Sequence, residues 1–327
     1  MKPILIVINC ALLLLTSASN ISEQCKIQMT TIRCHCTGNE EFLLPEGYNY
    51  ENVTSIQIAS CTIANLHFSS LPEASQITEI IVQNISERLI FELFLTSKRM
   101  KRLKLSKIRR IPLITHDTFI KLNSIETLRI EDTRIDNFEE LFTDIAVTNF
   151  FMINVTIERI NELSFLEKGQ TLYIKNSEFQ NVTGSLNFAY FSTVEIFHSK
   201  FHLQKPGYIL IEGNVVYIEN CVFSNSSTNV VAAKSIRIND TCADGKSSMR
   251  LSSNNIKSVN NRSPTEIIYT RNRNESEYFF NRNNTVCIAG NCKCPKNSSQ
   301  STQLISLFLA FAFQFFFPIA ILLSTFS

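Results

Sequence analysis

The stretch IETLRIEDTRI, residues 125–135, carries apolar side chains at its first, fourth, sixth and eleventh positions and a threonine, Thr133, at its ninth. Alternate side chains of an extended chain face opposite ways, so positions four and six turn to one side and positions three, five and seven to the other. The line recurs as VTSIQIASCTI (53–63), VTNFFMINVTI (147–157), GQTLYIKNSEF (169–179), FSTVEIFHSKF (191–201) and GNVVYIENCVF (213–223). Weaker copies start at Ile77, Met100 and Ala233. The fourth-position residues Ile56, Ile80, Leu103, Leu128, Phe150, Leu172, Val194, Val216 and Ile236 lie 24, 23, 25, 22, 22, 22, 22 and 20 residues apart. One such unit cannot bury its inner face alone, whereas stacked units form a continuous core. The expected fold is therefore a parallel β-solenoid of about nine turns of 20–25 residues.

The line resembles that of the leucine-rich repeat family, L-x-x-L-x-L-x-x-N/C-x-L, over roughly residues 50–245. The resemblance implies a horseshoe whose ninth side chain turns inward and satisfies backbone groups. Here the ninth position holds Cys61, Ile85, Ile108, Thr133, Val155, Ser177, Ser199, Cys221 and Thr241 in place of the family's Asn. Thr, Ser and Cys can do part of that work, but Ile and Val cannot, so some turns must close differently. A right-handed parallel β-helix with three strands per turn is the alternative solenoid, suited by the constant step of 22 and by β-rich returns such as YILIEG. A second apolar mark at Phe94, Phe119, Phe142, Phe165 and Phe188 predicts an aromatic spine on the return side.

The two ends describe processing and address. Lys2, the apolar run Ile4–Leu15 and the small residues TSAS read as a secretory signal over 1–19. Leu304–Phe326 is almost wholly apolar, and with the small residues Asn297, Ser298 and Ser299 before a short polar spacer it fits a glycosylphosphatidylinositol attachment signal over 297–327, with Asn297 as anchor site. The alternative is a single C-terminal membrane helix. Sequons begin at Asn20, Asn52, Asn84, Asn154, Asn181, Asn225, Asn239, Asn261, Asn274, Asn283 and Asn297, as in a glycan-coated ectodomain on the outer face of the plasma membrane.

A solenoid needs atypical terminal units. Residues 20–49, with Cys25, Cys34 and Cys36 in CKIQMTTIRCHC, are similar to the cysteine-rich cap of extracellular leucine-rich repeat proteins. With Cys61 they allow two disulfides in any of three connectivities. Residues 50–243 are the repeats. Residues 244–286 lose the period, and 244–296 read as an irregular cap and stalk; Cys242, Cys287, Cys292 and Cys294 gather at this end, with Cys287 to Cys294 stapling the stalk. In that segment MRLSSNNI fits the line with Asn254 in the asparagine place, but Met249 follows Ile236 by only 13 residues. Without Cys10, nine cysteines remain, so one stays unpaired or bonds another molecule. CIAGNCKC (287–294) could be a metal knuckle, but disulfides are the commoner use in a secreted chain.

No catalytic motif is present: the histidines lack metal spacing, no serine lies in G-x-S-x-G, and the outward fifth positions Phe151, Tyr173, Glu195 and Tyr217 hold no paired carboxylates. No cofactor is implied, and a net charge of +2 does not point to nucleic acid. Two surfaces are candidates for partner binding. Phe151, Ile153, Tyr173, Phe197 and Tyr217 gather on the outward side of successive strands, where aromatic residues mark interfaces. Lys101, Arg102 and Lys104, from the basic run KRMKRLKLSKIRR (98–110), lie on or beside the same face, either as a docking strip for an acidic glycan or protein or as a solvated turn balanced by Glu126, Glu131 and Asp132. The expected function is nonenzymatic recognition or adhesion, membrane-tethered by a lipid anchor. A secreted β-helix carbohydrate-active enzyme and a structural coat protein are the alternatives.

Overall fold

The computed structural model describes residues 25–36, 41–44, 50–67, 76–92, 99–119, 122–270, 278–287 and 294. The signal and anchor segments, Phe94, Cys292 and the sequons at Asn20, Asn274 and Asn297 lie outside these residues. All described residues but Cys294 belong to one compact unit ending at Cys292; the second unit, 293–327, contributes Cys294 alone.

The unit is a parallel β-solenoid of about ten turns. The nine fourth-position residues form a single column in register, and the column extends beyond them, to Ile32 at one end and through Ile256 to Phe279 at the other. These strands make the first sheet. Ile56, Ile80, Leu103, Leu172, Val194 and Val216 are fully buried, which stabilises by about 1.5–3 kcal/mol for each such side chain taken from water.

After each first-sheet strand from Ser55–Ala59 onward the chain turns at position eight through the left-handed region. Ser60, Asn84, Lys107, Asp132, Asn154, Asn176, His198, Asn220, Asp240, Asn260 and Asn283 all have φ between 48° and 64°. Asn and Asp predominate here because their short polar side chains reduce the cost of this region. Asn154 Nδ2 donates to Asp132 Oδ1 on the preceding turn (2.8 Å), and Asn260 does the same to Asp240 (3.0 Å).

The corner feeds a second parallel sheet, with Ile135, Ile157, Phe179, Phe201, Phe223 and Ala243 in register. The return side is also stranded over the later turns: Ile211, Val230, Leu251 and Tyr269 align in a third sheet. The described helical content is one 3-10 turn, His116–Thr118. The cross-section is thus that of three strands per turn in the later half.

Position nine closes the corner as a ladder. The backbone N–H of Val155 donates to Ser177 Oγ, that of Ser177 to Ser199 Oγ, and that of Thr241 to Asn261 Oδ1 (3.2, 3.1 and 2.9 Å). Each hydroxyl in turn donates to the seventh-position carbonyl of its own turn, as Ser177 does to Lys175 (2.9 Å) and Ser199 to Phe197 (2.8 Å). Val155 offers no such group, and there the strands Ser124–Phe138 and Ala146–Ile160 run through the corner with Thr133 and Val155 still in register.

The aromatic spine is present but branches. Phe119, Phe142 and Phe165 stack at 5.6 and 5.2 Å between neighbours, then contact passes from Phe165 to Phe191 (5.1 Å) and not to Phe188. Phe188 instead joins Phe179 and Phe201 of the second sheet. The cause is a register shift between Phe188 and Phe191, where Ala189 and Tyr190 stand opposite Glu212 alone.

At the N-terminal end Cys25–Gln28 pairs antiparallel with Thr31–His35 and covers the sheet edge, joined by Cys25–Cys34 and Cys36–Cys61 disulfides. Cys242, Cys287 and Cys294 are also disulfide-bonded, and Cys221 is free and buried. Paired cysteines belong to an oxidising compartment. At the other end the stack continues past residue 243: Ser248–Ser252, Asn255–Val259, Ile268–Thr270 and Tyr278–Arg282 all pair in parallel with preceding turns. Met249 lies in the third sheet opposite Thr228, and Ile256 takes the fourth position, so the ninth-position asparagine is Asn261, not Asn254.

Candidate docking surface on the first sheet

The outward positions of the first sheet bring the expected aromatic residues into contact. The ring centroids of Phe151 and Tyr173 are 6.1 Å apart and those of Tyr173 and Phe197 5.9 Å, a diagonal that steps from position five to position seven. All three side chains are half-buried by one another on the outer side of the sheet. Ile153 sits beside them in register with Lys175. Tyr217 lies further along, in register with Glu195 on one side and Arg237 on the other.

Arg129, at position five of the opening stretch, links the aromatic and basic regions. Its guanidinium lies 5.1 Å from the Phe151 ring centre, and its Nε donates to Glu131 (2.6 Å). A cation over an aromatic face contributes about 0.5–1 kcal/mol when exposed. Lys104 reaches the same carboxylate at 3.2 Å. Burial raises the Glu131 pKa, but hydrogen bonds from Arg129 and Lys104 outweigh it and hold the carboxyl below its ordinary value. Arg102 pairs with Glu79 (3.0 Å), and Lys101 stands exposed beside them. Two of the three expected basic residues are thus balanced by acids. The reading of this strip as a solvated, charge-compensated turn describes Arg102 and Lys104; the balancing acids are Glu79 and Glu131.

The end of the same basic run goes elsewhere. Arg109 and Arg110 lie at a corner with Arg88 and Arg134, around a hollow of about 720 Å³ that also includes Glu87, Asp136 and Glu158. Arg110 pairs with Asp136 (2.6 Å) and Arg134 with Glu158, while Arg88 and Arg109 make no ion pair among the described residues. Sequence reasoning missed this cluster because its arginines come from position ten of two turns, Arg109 and Arg134, and from the start of the second sheet, Arg88 and Arg110. Once the left-handed corner at position eight is recognised, the same spacing exposes them.

His202 joins two neighbours on the second sheet: its Nδ1 is 3.1 Å from Ser224 Oγ and its Nε2 3.6 Å from Glu178 Oε1. Burial, opposed by Glu178, lowers its pKa. Ser224 lies in an extended strand paired on both sides, a place unlike the exposed elbow that presents a serine nucleophile.

The sequons differ in access. Asn52, Asn84, Asn154, Asn181 and Asn283 are exposed, and Asn225 and Asn239 half-buried. Asn261 does not fit a glycan-bearing role in this fold. It is fully buried, and its Nδ2 donates to the Ile238 carbonyl (3.1 Å) and to Ser258 Oγ (3.0 Å). No helix among the described residues is long and apolar enough to cross a membrane.

No family model, curated protein or solved structure matches the chain.

Proposed function

We propose that the protein is a noncatalytic recognition or adhesion glycoprotein of the cell surface, which docks a protein or an acidic glycan on the outer side of its first sheet. The contiguous contact line Arg129–Phe151–Tyr173–Phe197 carries this reading. Rigid aromatic side chains with an adjacent arginine are the composition of an interface hot spot, and a stacked sheet holds them at fixed spacing without ordering cost on binding. The repeat line resembles that of extracellular leucine-rich repeat proteins, which supports a recognition role, and the apolar tail fits a lipid-anchor signal with Asn297 as the attachment site.

Display of the full chain on cells provides the test. Wild-type cells bind a partner surface, and Tyr173→Ser with Phe197→Ser weakens that binding by a factor of about 30 or more, the effect of losing one hot spot of about 2 kcal/mol. Adhesion indistinguishable between the two sinks the docking surface. Release of the displayed chain by a phospholipase specific for inositol lipids reads out the anchor separately.

A further inference from the structure

The corner where the third sheet returns to the first is hollowed into a trough of about 740 Å³ that runs along several turns. Two glycines of its lining are packed against their neighbours. A Cβ on Gly169 would fall 2.4 Å from the Phe191 ring and 2.8 Å from the Val147 carbonyl oxygen, and one on Gly213 would fall 2.9 Å from the Phe191 carbonyl oxygen. These positions therefore carry no side chain.

The trough's wall is polar and repetitive. Gln170, Ser192 and Asn214 occupy position two of consecutive turns, about 4.8 Å apart along the stack. The side chains of all three make no hydrogen bond within the described residues, so their amide and hydroxyl groups are available to a ligand. Ser253, on the same wall, is 6% exposed and its hydroxyl has no hydrogen-bond partner. At the rim stands Tyr190, 48% exposed, in the bulge opposite Glu212 and with φ of 67°. Bulky residues rarely enter that backbone region, and bulges re-aim side chains beside functional sites.

We propose that this trough binds an uncharged oligosaccharide chain along the solenoid axis. Evenly spaced donors and acceptors suit repeating sugar hydroxyls, and the Tyr190 ring offers a flat face for a pyranose. Lys168 and Glu212 are the charged side chains of the lining and offset each other. A sulfated or carboxylated chain would instead favour the basic residues of the first sheet or the arginine hollow at the corner beyond it. The site lies apart from the aromatic line of the first sheet and does not depend on it.

The full-length chain in a sugar-free zwitterionic detergent is titrated calorimetrically with cellohexaose, mannohexaose and N-acetylchitohexaose, and with a heparin-derived hexasaccharide. At least one neutral hexasaccharide binds saturably below about 5 mM, within the range of weak but specific association. Tyr190→Gly, which suits the left-handed backbone, leaves the unfolding temperature undiminished and weakens binding about tenfold or more. Asn214→Ala weakens it as well, and Tyr173→Ser on the first sheet does not. The proposal is overturned if no neutral hexasaccharide binds, if the sulfated one binds more tightly than all of them, or if Tyr190→Gly and Asn214→Ala both bind as the parent does.

Discussion

The side-chain amide of Asn261 spans two turns of the solenoid, donating to the carbonyl oxygen of Ile238 at 3.1 Å while its Oδ1 accepts the N–H of Thr241 at 2.9 Å. Its own backbone N–H donates to Asn284 Oδ1 (2.7 Å) and its carbonyl oxygen accepts the Thr285 N–H (2.9 Å), so the residue is engaged at every polar atom. A glycan on Nδ2 would have to replace buried core. Removing this sequon through Ser263→Ala should leave the mass of the glycosylated protein unchanged after correction for the substitution. Asn261→Ala should destabilise by about 1–3 kcal/mol, because two buried backbone groups lose their partner. Intact mass spectrometry and denaturant unfolding check the two outcomes.

The same residue shows where the sequence stopped being legible. The period from Ile56 to Ile236 is visible because positions four and six are apolar in every turn. In the turn that follows, positions one, six and eleven are Ser253, Ser258 and Ser263, so the hydrophobic signal fades although the strands continue. There the core is polar: Ser258 Oγ accepts from Asn284 Nδ2 (2.8 Å) and Asn261 Nδ2 (3.0 Å), and the Tyr269 hydroxyl donates to it (3.2 Å). A pattern search for apolar faces reads such a turn as irregular. The outward aromatic residues, in contrast, were legible, since strand alternation alone fixes which side Phe151 and Tyr173 face. Arg129 was overlooked because its role depends on contact with a ring one turn away. The trough was illegible because its lining is gathered from the junction of two sheets over several turns, which no single stretch of sequence displays.

Cys221 occupies the ninth position between two turns of the hydroxyl ladder. Its Sγ lies 3.3 Å from the Glu219 carbonyl oxygen and 3.4 Å from that of Ile196, the two acceptors within reach of its single S–H, and the Ser199 N–H reaches the sulfur. Burial pushes its thiol up to about 12, so the reactive thiolate is scarce at neutral pH. Alkylation by a maleimide should therefore be undetectable in the folded chain and complete in denaturant. Cys221→Ser should change stability by less than about 1.5 kcal/mol, because Ser177 and Ser199 each accept the ninth-position N–H of the preceding turn and donate to the seventh-position carbonyl of their own, as this serine can. Cys221→Ala should cost more than the serine variant, a ranking that equilibrium unfolding resolves.

The Cys36–Cys61 bridge closes a segment of 25 residues between the N-terminal hairpin and the first full corner. Cys61 is at once a ninth-position residue, with its sulfur 3.6 Å from the Ala59 carbonyl oxygen. Replacing both cysteines with serine should lower stability by about 3 kcal/mol, the loop-closure contribution for a segment of this length. Proteolysis under native conditions should then cut first among the earliest turns, since a solenoid opens from an end whose cap has been loosened.

Glu140 is the one carboxylate of the described residues that is wholly enclosed, with 0% exposure. Its Oε1 accepts the Phe142 N–H at 2.7 Å, while Oε2 lies 3.6 Å from His116 Nδ1, too far for a hydrogen bond, and has no other partner. Burial raises its pKa above the ordinary carboxylate value; the Phe142 N–H and the nearby His116 offset part of that rise. The folded chain therefore holds a proton on Glu140 at a pH where the unfolded chain has released it. Fewer protons bound in the unfolded state make stability fall as pH rises. The contribution is fully present below the unfolded carboxylate value and is lost as pH climbs through the raised folded value. Glu140→Gln keeps an oxygen for the Phe142 N–H and removes the charge. Denaturant midpoints measured across the acidic-to-neutral range should decline less steeply with pH in this variant than in the parent, and the variant should gain relative stability at the neutral end. A parent whose midpoints rise with pH more steeply than the variant's would show that Glu140 is held ionised by His116.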